Sequence, residues 1–195
     1  MLPTALFLRR LGCAALLCAA TGAALAAIPI QHWTQPGGAQ VYLVESPAIP
    51  MVDVQIDFDA GARRDPAAQA GLASVTAGQA GKGIRATATE PALDENAVSE
   101  AWADLGASFG GSAGSDRMSF GLRSLTYPDL LARAVQLAAR QLAEPAFPEP
   151  VWQRDRERMQ ASLREAATRP ATIAGRAYAA AVYGGHPYGQ EVTEQ

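Results

Sequence analysis

The chain has 195 residues, of which 18% are charged, and its 19 acidic residues outnumber 16 basic ones for a formal charge of −3. This mildly acidic balance argues against nucleic acid as a partner. Both cysteines, Cys13 and Cys18, lie in the first 26 residues. The rest of the chain therefore has no thiol for a disulfide, a metal or nucleophilic catalysis.

The first 26 residues have the pattern of an export signal. Arg9 and Arg10 precede the apolar run LGCAALLCAATGAALA, which ends in the small-x-small sequence Ala24-Leu25-Ala26. This run is too short and too rich in alanine for a typical membrane span, although a retained N-terminal anchor stays an alternative. We predict a signal peptide over 1–26, a linker over 27–38, and an exported, periplasmic protein with no membrane segment after cleavage.

Two strands and two helices are predicted in the first part of the remaining chain. Residues 39–45 (AQVYLVE) indicate a strand, and in 51–59 four apolar residues alternate with polar ones. That period of two is typical of a strand with one buried face and one solvent-facing face. A helix of mostly small residues is predicted over 67–80, and a better-marked helix begins after the N-cap Asp94 and stops at Gly106.

A hairpin follows these helices. Strands are predicted over 107–113 and 117–124, joined at Gly114-Ser115-Asp116. In the second strand Met118, Phe120 and Leu122 alternate with polar residues and glycine, so the hairpin is expected to be antiparallel with one face directed inward.

The last part of the chain is predicted to be helical. One helix starts near Tyr127, a second covers about 150–167, and a third begins at Pro170. In the second of these, three large apolar residues are expected to be buried: Trp152, Met159 and Leu163. The order of strands, helices, two strands and helices favours an α+β fold with an antiparallel sheet over alternating βαβ units.

The segment 71–83 (GLASVTAGQAGKG) looks like an active-site stretch but holds no side chain suited to catalysis. It lacks the G-x-x-x-x-G-K-[ST] pattern of a phosphate loop. Zinc needs three or four ligands, and only His32 and His186 are histidines. Ser74 and Ser162 have no G-x-S-x-G context or neighbouring histidine base. The residues alone predict an exported α+β domain without a visible catalytic site.

Four segments of the chain, read in order, resemble segments of a known protein family. They are FDAGARRDPAAQAGLASVTAGQAGKG, LDENAVSEAWADLGASFGGSAGSDRMSFGLRSL, LAARQLAEPAFPEPVWQRDRERMQASLREAATRP and YAAAVYGGHPYGQ. Together they resemble the N-terminal homologous domain of the insulinase/pitrilysin-type peptidases, which include the mitochondrial processing peptidase. The resemblance implies a peptidase-like domain over 39–195, with a mostly antiparallel sheet covered by helices on one face. It also leads us to expect a truncated chain from which a second homologous domain is missing.

Active members that this chain resembles carry H-x-x-E-H directly after a Gly-Leu-Ala-like triplet. The two histidines bind zinc and the glutamate is the general base. Carried over by position, Ser74 and Gly78 occupy the histidine positions and Ala77 occupies the glutamate position. The third zinc ligand, a glutamate on a later helix, corresponds to Ser162. The resemblance therefore implies no catalytic residue and no cofactor in this chain, which would be inactive as a peptidase on its own.

Zinc-less members of the family act as partners of zinc-bearing ones. The resemblance thus implies a heterodimer in which a homologous zinc-bearing peptidase subunit supplies the zinc and this chain helps to hold a peptide substrate. In family members an extended peptide adds to a sheet edge. The corresponding residues here are Gly110, Gly111, Ser112, Ala113 and Gly114.

Several alternatives stay open at this point. The same glycine-containing stretch also fits a weakened strand near a bend, with no ligand. The chain could be a stand-alone exported peptide-binding or scaffold protein that retains the fold without proteolysis. It could also be an enzyme whose chemistry lies in a missing C-terminal half or in a site that sequence patterns do not reveal.

Overall fold

The computed structural model describes residues 29–192 and divides the chain into two compact units, with the boundary between Ile49 and Pro50. The predicted signal peptide, 1–26, lies outside the described residues. Within 29–192, no helix combines the length and the apolar character that crossing a membrane requires.

The first unit contains an antiparallel hairpin of β1 (Ile30–Thr34) and β2 (Gln40–Val44). Strand β2 confirms the strand predicted over 39–45. Strand β1 corrects the prediction of a linker over 27–38. It forms because its aromatic and β-branched residues find cross-strand partners, including His32, whose ring stacks on Tyr42 with 4.6 Å between centroids.

The second unit is built on a three-stranded antiparallel sheet of β3 (Met51–Phe58), β4 (Ser108–Ala113) and β5 (Met118–Leu125). The order is β3-β5-β4, so the central strand is the last in sequence. Gly114 N donates to Arg117 O at 2.9 Å and closes the β4–β5 turn. The predicted hairpin is confirmed, and so is the strand predicted over 51–59.

Helices cover one face of this sheet, as the fold prediction requires. The helices are α1 (Leu72–Gln79), α2 (Glu95–Asp104), α3 (Pro128–Ala143), α4 (Glu149–Ala167) and α5 (Pro170–Tyr183). The buried side chains of β5 pack against α1, α2 and α3. The opposite sheet face is polar, with Arg123 Nε donating to Asp53 Oδ1 at 2.6 Å.

Two clusters make up the hydrophobic core. The larger joins α2, α3 and the segment before α2 to the sheet, through Ile84, Val98, Trp102, Leu105, Leu122, Ala134, Leu137 and Ala138. The smaller joins α1 to the sheet, through Ala73, Ala77, Ala80, Met118 and Phe120. Because α1 contributes only alanines, its backbone lies close to the strands.

The two helices predicted before the hairpin differ in how well the sequence defined them. The helix predicted over 67–80 begins only at Leu72, because Gly71 has a left-handed φ of 99° and a separate 3-10 turn covers Ala67–Gln69. The predicted N-cap Asp94 is confirmed, since its side chain accepts a hydrogen bond from Ala97 N at 2.8 Å.

Two burial predictions are wrong in part. Met159 is 36% exposed, because the contacts of α4 with α1 and α2 run through Arg154 and Asp155, one turn earlier. On β3, Val54 and Phe58 are 38% and 44% exposed although they share the sheet face that the helices cover. Strand β3 is at the sheet edge, beyond the helices that cover β5.

Candidate functional site

A cleft of about 570 Å³ lies between α1, α2 and the edge strand β4. Ala77 and Gly78 line it from α1, Trp102 lines it from α2, and Gly110 and Gly111 line it from β4. The structure thus brings two of the positions carried over from the family's zinc motif next to two of the predicted peptide-binding residues. This juxtaposition makes the cleft the candidate functional site.

The other predicted site residues do not line the cleft. Ser74 lies on α1 and Ser162 on α4, and both are exposed. Ser112 and Ala113 continue β4 beyond the cleft, and Gly114 begins the turn that follows.

Helix α1 lies directly on β4 because both elements carry small residues where they meet. A Cβ added to Gly111 would lie 2.4 Å from Phe120 Cε1 and 3.0 Å from the Ala77 carbonyl oxygen. Ala77 is only 2% exposed. At the position that the resemblance assigns to the general base there is therefore a methyl group packed against the sheet.

Strand β4 presents an edge to the cleft. It pairs with β5 on one side, and within residues 29–192 no strand pairs with its other side. Phe109, Gly111 and Ala113 face the helices, whereas Gly110 faces the polar side, where a Cβ added to it would have no atom within 4 Å. An unpaired strand edge offers backbone N–H and C=O groups for an added strand.

A chain of polar contacts starts at Lys82 and Glu95, which line the cleft, and links three helices. Lys82 Nζ donates to Glu95 Oε1 at 2.8 Å, and Arg154 Nη1 donates to Glu95 Oε2 at 3.0 Å. Arg154 Nε also donates to Asp155 Oδ1 at 3.0 Å, and Gln79 Nε2 donates to Asp155 Oδ2 at 2.9 Å. We call these five residues the rim network. It ties α1 and α2 to α4.

The rim network keeps its carboxylates ionised. Hydrogen bonds from Arg154 and then Lys82 hold the pKa of Glu95 below its usual range, against the opposing effect of partial burial. The hydrogen bond from Arg154 likewise lowers the pKa of Asp155. Both acids therefore act as stable negative partners at neutral pH and do not serve as proton donors.

No group of three or more His, Cys, Asp and Glu side chains within 29–192 is placed to hold a metal ion. His186 has a local role instead, because its Nδ1 accepts a hydrogen bond from Tyr188 N at 3.2 Å and caps a 3-10 turn. The donor set of the cleft consists of hydroxyl, amide, ammonium and one carboxylate group. It does not match the ligand set that zinc requires.

The rim network leads to a prediction about pH. Because the folded pKa values of Glu95 and Asp155 are lowered, their stabilisation is complete above the ordinary carboxyl pKa, about 4. It is lost as the pH falls through the lower folded values. We expect denaturant unfolding to show less pH dependence below about pH 4 for Glu95→Gln than for the wild type. A pH dependence below about pH 4 that is equal in Glu95→Gln and the wild type would contradict the prediction.

Comparison with known proteins identifies structural neighbours. No family model and no curated protein matches the sequence. The peptidase M16 inactive domain from Pseudomonas fluorescens is 30% identical, with a TM-score of 0.76 over 83% of this chain and 38% of that chain. The chain therefore spans about two-fifths of that neighbour.

Two further neighbours show the fold alone. Pitrilysin is 24% identical, with a TM-score of 0.64 over 84% of this chain and 17% of that chain. The periplasmic protease PqqL from Escherichia coli is 15% identical, with a TM-score of 0.71 over 86% of this chain and 18% of that chain. The TM-scores of all three neighbours show that each shares its fold with this chain over the part that is matched.

Proposed function

The chain belongs to the insulinase/pitrilysin-type (M16) peptidase family, and we propose that it is a catalytically silent member that holds a peptide substrate for a zinc-bearing homologous subunit. The observation that carries this proposal is the cleft, whose lining includes Ala77 and Gly78 together with Gly110 and Gly111 of the edge strand β4. A methyl group and a hydrogen atom can neither bind zinc nor take a proton from water. What the cleft retains is the means to bind a peptide.

The geometry of β4 supports a strand-addition mode. An extended peptide placed along this edge would gain backbone hydrogen bonds, while its alternate side chains would point into the cleft. Gly110 and Gly111 leave the approach to the edge free of side chains. The cleft volume of about 570 Å³ is in the range of pockets that bind ligands.

The rim network supports a rigid, metal-free version of the fold. In active members a zinc ion links the motif helix to the later ligand helix. Here Gln79 on α1 and Asp155 on α4 make a direct hydrogen bond of 2.9 Å, and Arg154 extends the link to Glu95 on α2. These hydrogen bonds between helices would maintain the geometry of the cleft without a metal ion.

The comparisons support two further parts of the proposal. The neighbour from Pseudomonas fluorescens bears the name of an inactive domain, which fits a silent role. The neighbour PqqL is named as a periplasmic protease, which fits the export pattern of residues 1–26. A zinc-bearing homologue with an intact H-x-x-E-H motif, exported from the same cell, is the partner that this proposal needs.

Co-expression with such a homologue tests the pairing. We expect the two chains to co-purify, with one zinc per pair and peptide cleavage that a chelator abolishes. This chain alone should bind no zinc and cleave no peptide. Chelator-sensitive cleavage by this chain alone would overturn the proposal. Peptide binding without co-purification would overturn the pairing and favour the stand-alone binding protein.

Filling the cleft tests the peptide role. Gly78 lines the cleft, and no atom lies within 4 Å of its Cβ position, so Gly78→Leu should occupy cleft space without a clash. We expect peptide affinity, measured by fluorescence anisotropy, to fall at least about tenfold. Gly175→Leu is the matched control, because Gly175 is also a helical glycine with no neighbour within 4 Å but lies on α5. Equal affinities for the two variants would rule out binding in the cleft.

A further inference from the structure

A second, smaller pocket lies on the other side of α1 from the cleft. Its volume is about 180 Å³. Its lining residues are Val75, Thr76, Gln79, Phe147, Glu149 and Trp152. With 3.6 residues per turn, the three α1 residues of this pocket face away from Ala77 and Gly78. We call it the Trp152 pocket.

The backbone at Phe147 is held in an unusual conformation beside this pocket. Phe147 has a φ of 45° and is the non-glycine residue with positive φ among those described. Its neighbours are fixed, because Ala146 N donates to Gly83 O at 3.0 Å and Pro148 packs close to Gly83. Left-handed backbone is strained for a bulky residue and persists only where surrounding structure enforces it.

The strain does not serve to bury the ring. Phe147 is 45% exposed, and the pocket pairs it with the half-buried Trp152. A constrained loop that presents an aromatic ring to solvent is typical of a binding surface. If the Phe147 ring served core packing, it would be buried in the hydrophobic core.

The pocket carries two hydrogen-bond acceptors that bear on the charge of a ligand. Glu149 contributes a carboxylate that accepts a hydrogen bond from the neutral amide of Gln153. Gln79 is buried, and its Oε1 has no hydrogen-bond partner within the described part of the chain. The lining contains no lysine or arginine. Two aromatic rings and a carboxylate, with no basic residue beside them, together favour a cation.

We propose that the Trp152 pocket binds a single basic side chain, the guanidinium or ammonium group of an arginine or lysine in a polypeptide. The ring faces would attract the cation, and Glu149 would supply a charge-assisted hydrogen bond. This inference is independent of the silent-subunit proposal, because it uses neither the cleft nor a partner's zinc.

A titration of the isotope-labelled full chain with N-acetyl-L-arginine amide tests the pocket. The readout is the indole N–H resonance of Trp152 in NMR spectra, assigned by its loss in Trp152→Phe. We expect a saturable shift of this resonance, with Trp102 and Trp33 unaffected. The neutral isostere N-acetyl-L-citrulline amide should give no saturable shift. An equal response to both compounds, or a response at Trp102 instead, would overturn the proposal.

Two variants test the contributions of the Glu149 carboxylate and the Phe147 ring to binding, and a third variant serves as a control. Glu149→Gln should weaken binding of N-acetyl-L-arginine amide by roughly tenfold. Glu157→Gln, on the same helix and exposed, should leave it unchanged. Phe147→Leu should weaken it by about threefold, since a cation over an exposed ring contributes modestly, and its spectrum reports whether the fold is kept. Wild-type affinity in Glu149→Gln would contradict a cation site.

Discussion

Replacing Gly111 by valine is expected to lower the free energy of unfolding by about 3 kcal/mol. The added Cβ would lie 2.4 Å from Phe120 Cε1 and 3.0 Å from the carbonyl oxygen of Ala77. Neither neighbour can move easily. The Phe120 ring lies between Phe109 and Phe58, at centroid distances of 5.9 and 6.1 Å, and the carbonyl belongs to the backbone of α1.

Gly110→Val is the matched control for this change. Gly110 is the preceding residue of the same strand, and no atom lies within 4 Å of its Cβ position. Valine is favoured over glycine in strands, so this variant should be as stable as the wild type or slightly more stable. Urea unfolding of the two variants makes the comparison. Similar losses in both would contradict the prediction, because the close contacts with Phe120 and Ala77 exist only at Gly111.

Trp102→Ala is expected to be at least as damaging, with a loss of about 4 kcal/mol. Trp102 is buried in the larger core cluster and stacks on Phe109 with 5.7 Å between centroids. Its Nε1 donates to Oε1 of the buried Gln141 at 3.0 Å. The alanine variant loses the packed ring and also leaves a buried acceptor without its donor.

Trp102→Phe separates these two contributions. Phenylalanine keeps an aromatic ring against Phe109 but loses the donor to Gln141 and part of the indole volume, so we expect a loss of about 1–3 kcal/mol. Thermal unfolding followed by circular dichroism should place Trp102→Phe between the wild type and Trp102→Ala. If the two variants were equally unstable, the hydrogen bond and not the ring would dominate at this position.

Local patterns predicted most of the second unit. The period-two alternation around Met118–Leu125 determines which face of the sheet is buried, because one side of a strand cannot exchange with the other. The Asp94 cap and Gly106 bounded α2 because both act through their own backbone neighbours. The resemblance located Ala77, Gly78, Gly110 and Gly111, which the structure brings to one cleft.

Long-range features could not be predicted in the same way. Gln79 and Asp155 are far apart in sequence and meet only because α4 folds back to α1, and neither residue type signals a partner at that distance. Gly71 looked like an ordinary helix residue, yet its left-handed φ of 99° delays the start of α1. Strand β1 was missed because its pattern is short and depends on pairing with β2.

The uncharged edge of β4 also has a consequence for how the protein behaves in concentrated solution. The strand SFGGSA contains no charge and no proline, the features by which natural sheets discourage intermolecular pairing. The same backbone groups that would receive a peptide are therefore available to the β4 of another copy. Without a bound occupant, this strand is where we expect aggregation to start.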